Sequence, residues 1–300
     1  MNCTHQKQTS AMKLYPVNAG NFKLDGGAMF GVVPKSIWNR SNPADENNMC
    51  SWAMRCLLIE DEGRLILIDN GMGDKQDAKF FGHYYLHGND TLEKSLAKYG
   101  FTPSDITDVF LTHLHFDHCG GSIKKDGDKL IPAFNNATYW SNEAHWNWAT
   151  MPNEREKASF LKENILPIQS SGQLSFIQAP ADHFTSNGLL NSVSFTNNID
   201  IRFVHGHTEK MMLPQIRYKG QTIVYMADLL PSVGHLPLPY VMAYDMFPLT
   251  TLGEKKSFLQ EALDNQYTLF FEHDAVHECV KLIQTEKGIR AGEAFTLADL

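Results

Sequence analysis

The sequence is poor in cysteine, and its five (Cys3, Cys50, Cys56, Cys119 and Cys279) are scattered and form no C-x-x-C pair. That argues against a disulfide framework or a zinc ribbon and makes a reducing cytoplasm the expected compartment. No apolar run approaches the roughly 18 residues that a membrane-spanning helix needs, so a spanning protein is excluded. The amino terminus, MNCTHQKQTSAMKLYP, lacks the apolar stretch of a secretory signal, which agrees with a cytoplasmic home. Positive charge is in deficit: 26 Lys and Arg stand against 34 Asp and Glu, a net of −8. An acidic chain without a basic stripe is a poor partner for nucleic acid. No G-x-S-x-G element marks a serine nucleophile. Repeats, low-complexity tracts and long linkers are missing too, so residues 1–300 are expected to form a single domain, with 1–13 as a loose end.

Histidine is the surplus, at 13 residues. It is the commonest metal ligand and a frequent acid–base group, so its placement decides what the surplus means. Residues 52–69 read as a hairpin, WAMRCLLIE and LILID joined across DEGR. Residues 91–99 have helical spacing, with Thr91 as N-cap and Gly100 as the stop. Residues 142–166 read as one or two helices broken near Met151-Pro152, and 254–263 as an amphipathic helix. DVFLTH, QLSFIQA, IDIRFVHG, QIRYKGQTIVYMAD (with a turn at Lys219-Gly220) and YTLFFEHD read as strands. Strands mixed with single helices along the whole length predict a layered α/β domain.

Several apolar runs end in the same chemistry. DVFLT ends in His113, RFV in His205 and His207, IVYMA in Asp228, and LFFE in His273. In open α/β sheets, sites gather beyond the carboxyl ends of the strands. The densest part is THLHFDHCGG. While the backbone is extended, His113 and His115 project to one side and can share a metal. Asp117 and His118 follow where the chain turns and can point at a second, and Gly120-Gly121 lets the backbone bend beside them. Imidazole with carboxylate suits Zn²⁺, Fe or Co²⁺.

H-x-H-x-D-H followed by a His, an Asp and a His at strand ends resembles the metallo-β-lactamase superfamily, as does Asp69-Asn70-Gly71. The resemblance implies an αββα sandwich, two mixed β-sheets flanked by helices, with a dinuclear metal site at the sheet edge. It implies two divalent ions, zinc foremost with iron, manganese or cobalt as alternatives. His113, His115 and His207 would hold the first and Asp117, His118 and His273 the second, with Asp228 bridging and Asp69 orienting a ligand. Asp228 stands where the two-zinc β-lactam hydrolases typically have Cys, and His115 where a flavodiiron oxygen reductase would have Glu; both branches are disfavoured. The segments LDGGAMFGVVPKSIW and ADLLPSVGHLPLPYVMAYD are most similar to the quorum-quenching N-acyl-homoserine lactone lactonase and methyl-parathion-hydrolase-like group. The chain departs from the family at Asn70 (usually Thr), at Lys210 (usually Gly) and at Pro231, where some lactonases carry a substrate-binding Tyr.

The expected activity is therefore metal-dependent opening of an acyl-homoserine lactone or related ester by a metal-bridging hydroxide, with Asp117 or Asp228 moving the proton. Alternatives are a phosphotriesterase or phosphodiesterase of the same fold, and a mononuclear iron persulfide dioxygenase. His235, Tyr240 and Tyr244 are candidates for the substrate contact that Pro231 cannot make. Phe30, Val33, Trp38 and Phe116 could wall an apolar pocket, although core packing fits the aromatic three at least as well. Cys119 reads as a small buried residue, and His205 as loop packing or support for a ligand. Residues 79–88 could form a homodimer contact or a substrate arm. His5, His83, His87, His145, His183 and His277 read as surface or structural.

Overall fold

The run WAMRCLLIE carries apolar side chains at consecutive rather than alternate positions, the mark of a strand covered on both faces. In the computed structural model, which describes residues 11–300, Leu57 and Ile59 face one core and Cys56 and Leu58 another. Cys3, His5 and the expected loose end up to residue 10 lie outside the described residues; Lys13 already belongs to a strand.

Two large sheets and one two-stranded sheet are formed among the described residues. β1 (Lys13–Asp25) and β2 (Met49–Asp61) pair antiparallel, and β3 (Arg64–Ile68) returns across a tight turn. β4 (Asp108–Phe110) runs parallel to β3. A separate hairpin, β5 (Ile123–Asp126) and β6 (Lys129–Pro132), precedes β7 (Thr138–Ser141) and β8 (Leu174–Phe176). The first sheet has the order β1-β2-β3-β4-β7-β8. The second contains β9 (Ser192–Ser194), β10 (Ile199–Val204), β11 (Met211–Tyr218), β12 (Gln221–Tyr225), β13 (Thr268–Phe270), β14 (Cys279–Thr285) and β15 (Gly288–Phe295). They lie side by side in reverse numerical order, antiparallel except for β12 and β13. The helices are α1 (Gly26–Phe30), α2 (Lys35–Trp38), α3 (Ala78–Tyr84), α4 (Leu92–Lys98), α5 (Phe116–Cys119), α6 (Glu143–Thr150), α7 (Lys162–Ser170) and α8 (Pro248–Asp264).

Period-2 alternation sorts the side chains into layers. Ile66, Ile68, Ile201 and Phe203 meet between the sheets, while Leu65, Leu67 and Val109 face Leu96 of α4, Trp146 of α6 and Ile165 of α7. On β10 the intervening Arg202 pairs with Glu261 of α8. This is the αββα sandwich. No helix among the described residues is long and apolar enough to cross a membrane.

Two expectations about the helices change. The break expected near Met151-Pro152 is there, but it widens into an irregular segment, 151–161, between α6 and α7. α8 starts six residues earlier than its amphipathic pattern, on Pro248, whose fixed φ and missing N–H suit a first helical turn.

The loops beyond the strand ends are pinned by buried charges. Arg55 of β2 donates from Nη1 to the carbonyls of Phe271 (2.7 Å) and Asp274 (2.8 Å), on either side of His273. Lys75 donates to the carbonyl of Gly120. Glu254 accepts from the backbone N–H groups of His205 (2.6 Å) and Gly206 (3.1 Å). Its neighbour Lys255 donates to the carbonyls of His235 and Tyr240, both at 2.7 Å, and Pro237 at 3.2 Å. A buried cation ringed by carbonyls stabilises only as a set; removing it leaves each acceptor desolvated and unpaired. We expect Lys255→Met to lower unfolding stability by at least about 2 kcal/mol. The exposed neighbour Lys256→Met should stay within about 0.5 kcal/mol of the parent. Urea midpoints measure both, and equal shifts would refute the pinning role.

Candidate metal centre

The parallel pairs β3/β4 and β12/β13 aim their carboxyl ends at one edge of the sandwich, where Asp69, His113, Asp228 and His273 emerge. Hydrogen bonds between the sheets fix that edge: the amides of Ala53 and Arg55 donate to the carbonyls of His273 and Glu272, both at 3.0 Å. His207 arrives from the loop after β10, and α5 brings Asp117 and His118. Seven residues predicted from sequence thus converge, and all are buried.

They form two groups that could each hold a metal, one of His113, His115, His207 and Asp228, the other of Asp117, His118 and His273. In the first, His115 Nδ1 lies 3.0 Å from His113 Nε2 and 3.2 Å from His207 Nε2, which is 3.1 Å from Asp228 Oδ2. In the second, His118 Nε2 and His273 Nε2 are 3.0 Å apart, and Asp117 Oδ2 is 3.9 and 3.8 Å from them. Asp228 Oδ1 turns to this group, 3.1 Å from His273 Nε2, yet makes no properly angled hydrogen bond. Donor atoms about 3.3 Å apart are what a tetrahedral zinc site with 2.0–2.1 Å bonds requires.

The outward ring nitrogens explain why the inward ones are free to bind. His113 Nδ1 meets Thr112 Oγ1 (3.1 Å), His115 Nε2 meets Glu156 (3.0 Å), and His207 Nδ1 meets Asp245 (2.9 Å). His118 Nδ1 lies 3.1 Å from Asp69 and 2.9 Å from Glu272, and His273 Nδ1 is 2.8 Å from the carbonyl of Ala53. Each of these partners accepts an N–H, which leaves a lone pair on the inward nitrogen. Thr112 donates to Asp69 in turn, through its amide at 2.8 Å and its hydroxyl at 2.6 Å. Burial, and then the adjacent Glu272 carboxylate, push Asp69 up to about 7. Burial opposes ionisation of Asp228, but His118, His207 and His273 in their protonated form hold it well below the carboxylate range, a charge that a cation bound at the inward nitrogens would replace. The donor set, two carboxylates and five imidazoles with fixed tautomers, fits two divalent cations.

Asp69 supports a ligand as expected, but Glu156, Asp245 and Glu272 had escaped the sequence reading. Glu272 was open to detection, since it adjoins His273 at a strand end. Glu156 carries no local signal: it sits in the irregular segment, 41 positions from His115. His145 is buried, with Nε2 accepting from the Leu114 amide and Nδ1 donating to the Glu209 carbonyl. His205 packs against His183 beside Glu254 and lies apart from both groups. Cys119 is buried, with its thiol donating to the carbonyl of Leu114.

A cavity of about 380 Å³ opens onto both groups, lined by Tyr84, Phe116, Asp117, Arg155, Asp228 and Tyr244 among others. Tyr244 and Phe116 thus line the cavity beside the metal-binding groups. His235 does not, and this corrects the expectation of a catalytic role. Its ring is fully buried, stacked on Phe30 at 4.4 Å, with Nδ1 accepting from Ser232 Oγ and Nε2 donating to the Met29 carbonyl. Phe30 and Trp38 stack on each other in the same core and do not line the cavity.

A two-sheet sandwich with paired His/Asp groups at its edge defines the class of protein. Residues 55–273 match the family model of the metallo-beta-lactamase superfamily, and the chain belongs to that family. An N-acyl homoserine lactonase of Bacillus cereus is 29% identical over 165 residues, 52% of this chain and 56% of that relative. The chain spans about half the length of the curated relatives it matches. Among solved structures, a “probable metal-dependent hydrolase” from Staphylococcus aureus is 27% identical with a TM-score of 0.84, covering 98% of this chain and 99% of its own. AidC, a dizinc quorum-quenching lactonase in complex with a product, is 22% identical with a TM-score of 0.75 over 95% of both chains, a likeness of fold.

The His235 environment sets a pH dependence. Burial lowers its pKa to about 3, against about 6.5 for a free imidazole. The unfolded chain therefore takes up the proton first, and the stability it contributes is full above about pH 6.5 and lost as pH falls toward 3. We expect His235→Gln to reduce the slope of stability against pH between 6 and 4.5 by up to one proton, about 1.4 kcal/mol per pH unit. Urea unfolding across that range reads the slope; an unchanged slope would mean the imidazole is charged in the fold.

Proposed function

We propose that the chain is a two-metal hydrolase that opens lactones or related carboxylic esters, with zinc as the cation its donors suit best. The observation that carries this reading is Asp228, whose two oxygens turn one to each histidine group. A single-metal centre would not need the second group, and Asp117, His118 and His273 complete it. This favours a hydrolase over a one-iron dioxygenase.

Bound there, two divalent cations supply Lewis-acid polarisation and a water whose pKa is lowered toward neutrality. The chain's own residues do the rest. The remote partners Glu156, Asp245, Asp69 and Glu272 hold the imidazoles in one tautomer and orientation. Phe116 and the cavity wall exclude bulk water beside the reacting bond. Hydrolysis forms a bond from water oxygen to the acyl carbon and breaks the acyl–alkoxy bond. The displaced proton goes to the leaving oxygen, and in this reading Asp117 or Asp228 carries it. In the same reading Tyr244, which lines the cavity, donates to the acyl oxygen that gains charge. The four described cysteines are all free, which supports a reducing compartment.

The test is a substrate panel on metal-replete protein: acyl-homoserine lactones of several lengths, simple γ- and δ-lactones, paraoxon-type esters and a β-lactam. Lactones should be opened, chelation should abolish turnover, and Zn²⁺, Mn²⁺ or Co²⁺ should restore it, with two ions bound per chain. Turnover that survives complete metal removal, or one iron per chain with oxygen uptake, overturns the reading. Hydrolysis of phosphotriesters alone would move the chain to the esterases of phosphorus.

A further inference from the structure

The same cavity has two polar groups, Tyr84 and Arg155, to which the hydrolytic step gives no role. Besides the metal-binding groups it is lined by Tyr84, Tyr244 and Arg155. Neither phenol hydroxyl has a hydrogen-bond partner among the described residues. Tyr84 is fixed by packing on Phe116, with ring centroids 4.7 Å apart. Burial, and then Asp117, push its phenol up to about 12, so it remains an O–H donor. Tyr244 is raised in the same direction by burial, then by Tyr84 and Asp117, which places both phenols in one local field.

Arg155 has one described partner, the carbonyl of Ala243 beside Tyr244. A guanidinium carries five donors, so most are left over. No carboxylate among the described residues pairs with it. The acids of the cavity are engaged elsewhere: Asp117 and Asp228 face the histidines, and Glu156 accepts from His115, Trp148 Nε1 (2.6 Å) and Asn153 Nδ2 (3.2 Å). The uncommitted polar side chains of the lining are therefore the exposed Arg155 guanidinium and the hydroxyls of Tyr84, Tyr244 and Ser159, all able to donate, and only Arg155 carries a full charge. Apolar surface from Leu24, Met29, Phe116 and Met242 completes the lining. A cleft of this kind is complementary to a molecule rich in acceptors and negatively charged.

Resting on the hydrolase reading, we propose that the preferred substrates are acidic: lactones or esters that bear a carboxylate apart from the scissile bond, held by Arg155 beside the two phenols. A neutral acyl-homoserine lactone offers no such group. The preference would come from binding, so it should sit mainly in KM.

The experiment compares, on metal-replete protein, a γ-lactone bearing a ring carboxylate with the same lactone bearing a carboxamide. The carboxylate form should show at least tenfold higher kcat/KM, declining with ionic strength. Arg155→Ala should bring the ratio to within twofold of unity, chiefly by raising KM for the carboxylate form, and Arg155→Lys should keep part of it. Binding of tetrahydrofuran-3-carboxylate against its carboxamide, measured by calorimetry, gives the same comparison without turnover. At least fivefold tighter binding of the acid, lost in Arg155→Ala, supports the proposal even if no lactone is opened. Equal handling of acid and amide, or a preference that Arg155→Ala leaves intact, overturns it. Neutral lactones opened without any acid preference would overturn this inference alone, while failure to open any lactone or ester would overturn the hydrolase reading alone.

Discussion

The interaction on which the rest depends is the crowding of seven donor side chains into two adjoining groups, with the two oxygens of Asp228 turned one to each. Imidazole nitrogens 3.0–3.2 Å apart, with their outward partners fixing the tautomers, present lone pairs to one another. That arrangement is repulsive by itself and becomes favourable only around cations. The fold must therefore hold it against its own tendency to spread, and does so from outside the centre. Arg55 grips backbone carbonyls on either side of His273, Lys255 grips one after Asp228, Lys75 one after His118, and Glu254 the amides just before His207. Every strand-end segment that delivers a ligand is thus pinned by one buried charge. Such charges are costly to desolvate and are tolerated where their partners are complete.

How much of this could be read from the sequence follows from how far each signal is local. His113, His115, Asp117 and His118 lie within six positions, and their spacing encodes both an extended segment and the turn after it. His207, Asp228 and His273 were legible because each closes an apolar run, and the hairpin from Trp52 was legible from its composition. β14 and β15 were passed over because their half-exposed residues alternate weakly. Glu156 was invisible for a different reason. Its partner is fixed by tertiary packing of an irregular segment, which no periodicity describes. His235 failed in the opposite sense: proximity to Asp228 along the chain suggested the site, but its ring turned to Phe30 and the core.

The residues that depart from the family pattern meet the same constraint by other means. Lys210 stands where the family pattern would have Gly, and its φ of 52° is in the left-handed region that Gly tolerates best. Two contacts oppose the cost: the Lys210 carbonyl accepts from Asn142 Nδ2 at 2.9 Å, and its ammonium donates to the Pro180 carbonyl at 2.7 Å. Asp69 and Ala227, with φ of 56° and 40°, are also left-handed, and each lies at or beside a residue of the centre. Strained backbone of this kind, on the order of 1–3 kcal/mol per residue, persists only where the surroundings over-determine it. Here they do, because Asp69 is bonded to Thr112 and His118 while Ala227 lies between the packed strand β12 and Asp228. Strain, buried charge and crowded lone pairs are therefore one balance. A change that relaxes any of them moves an inward nitrogen before it moves the core.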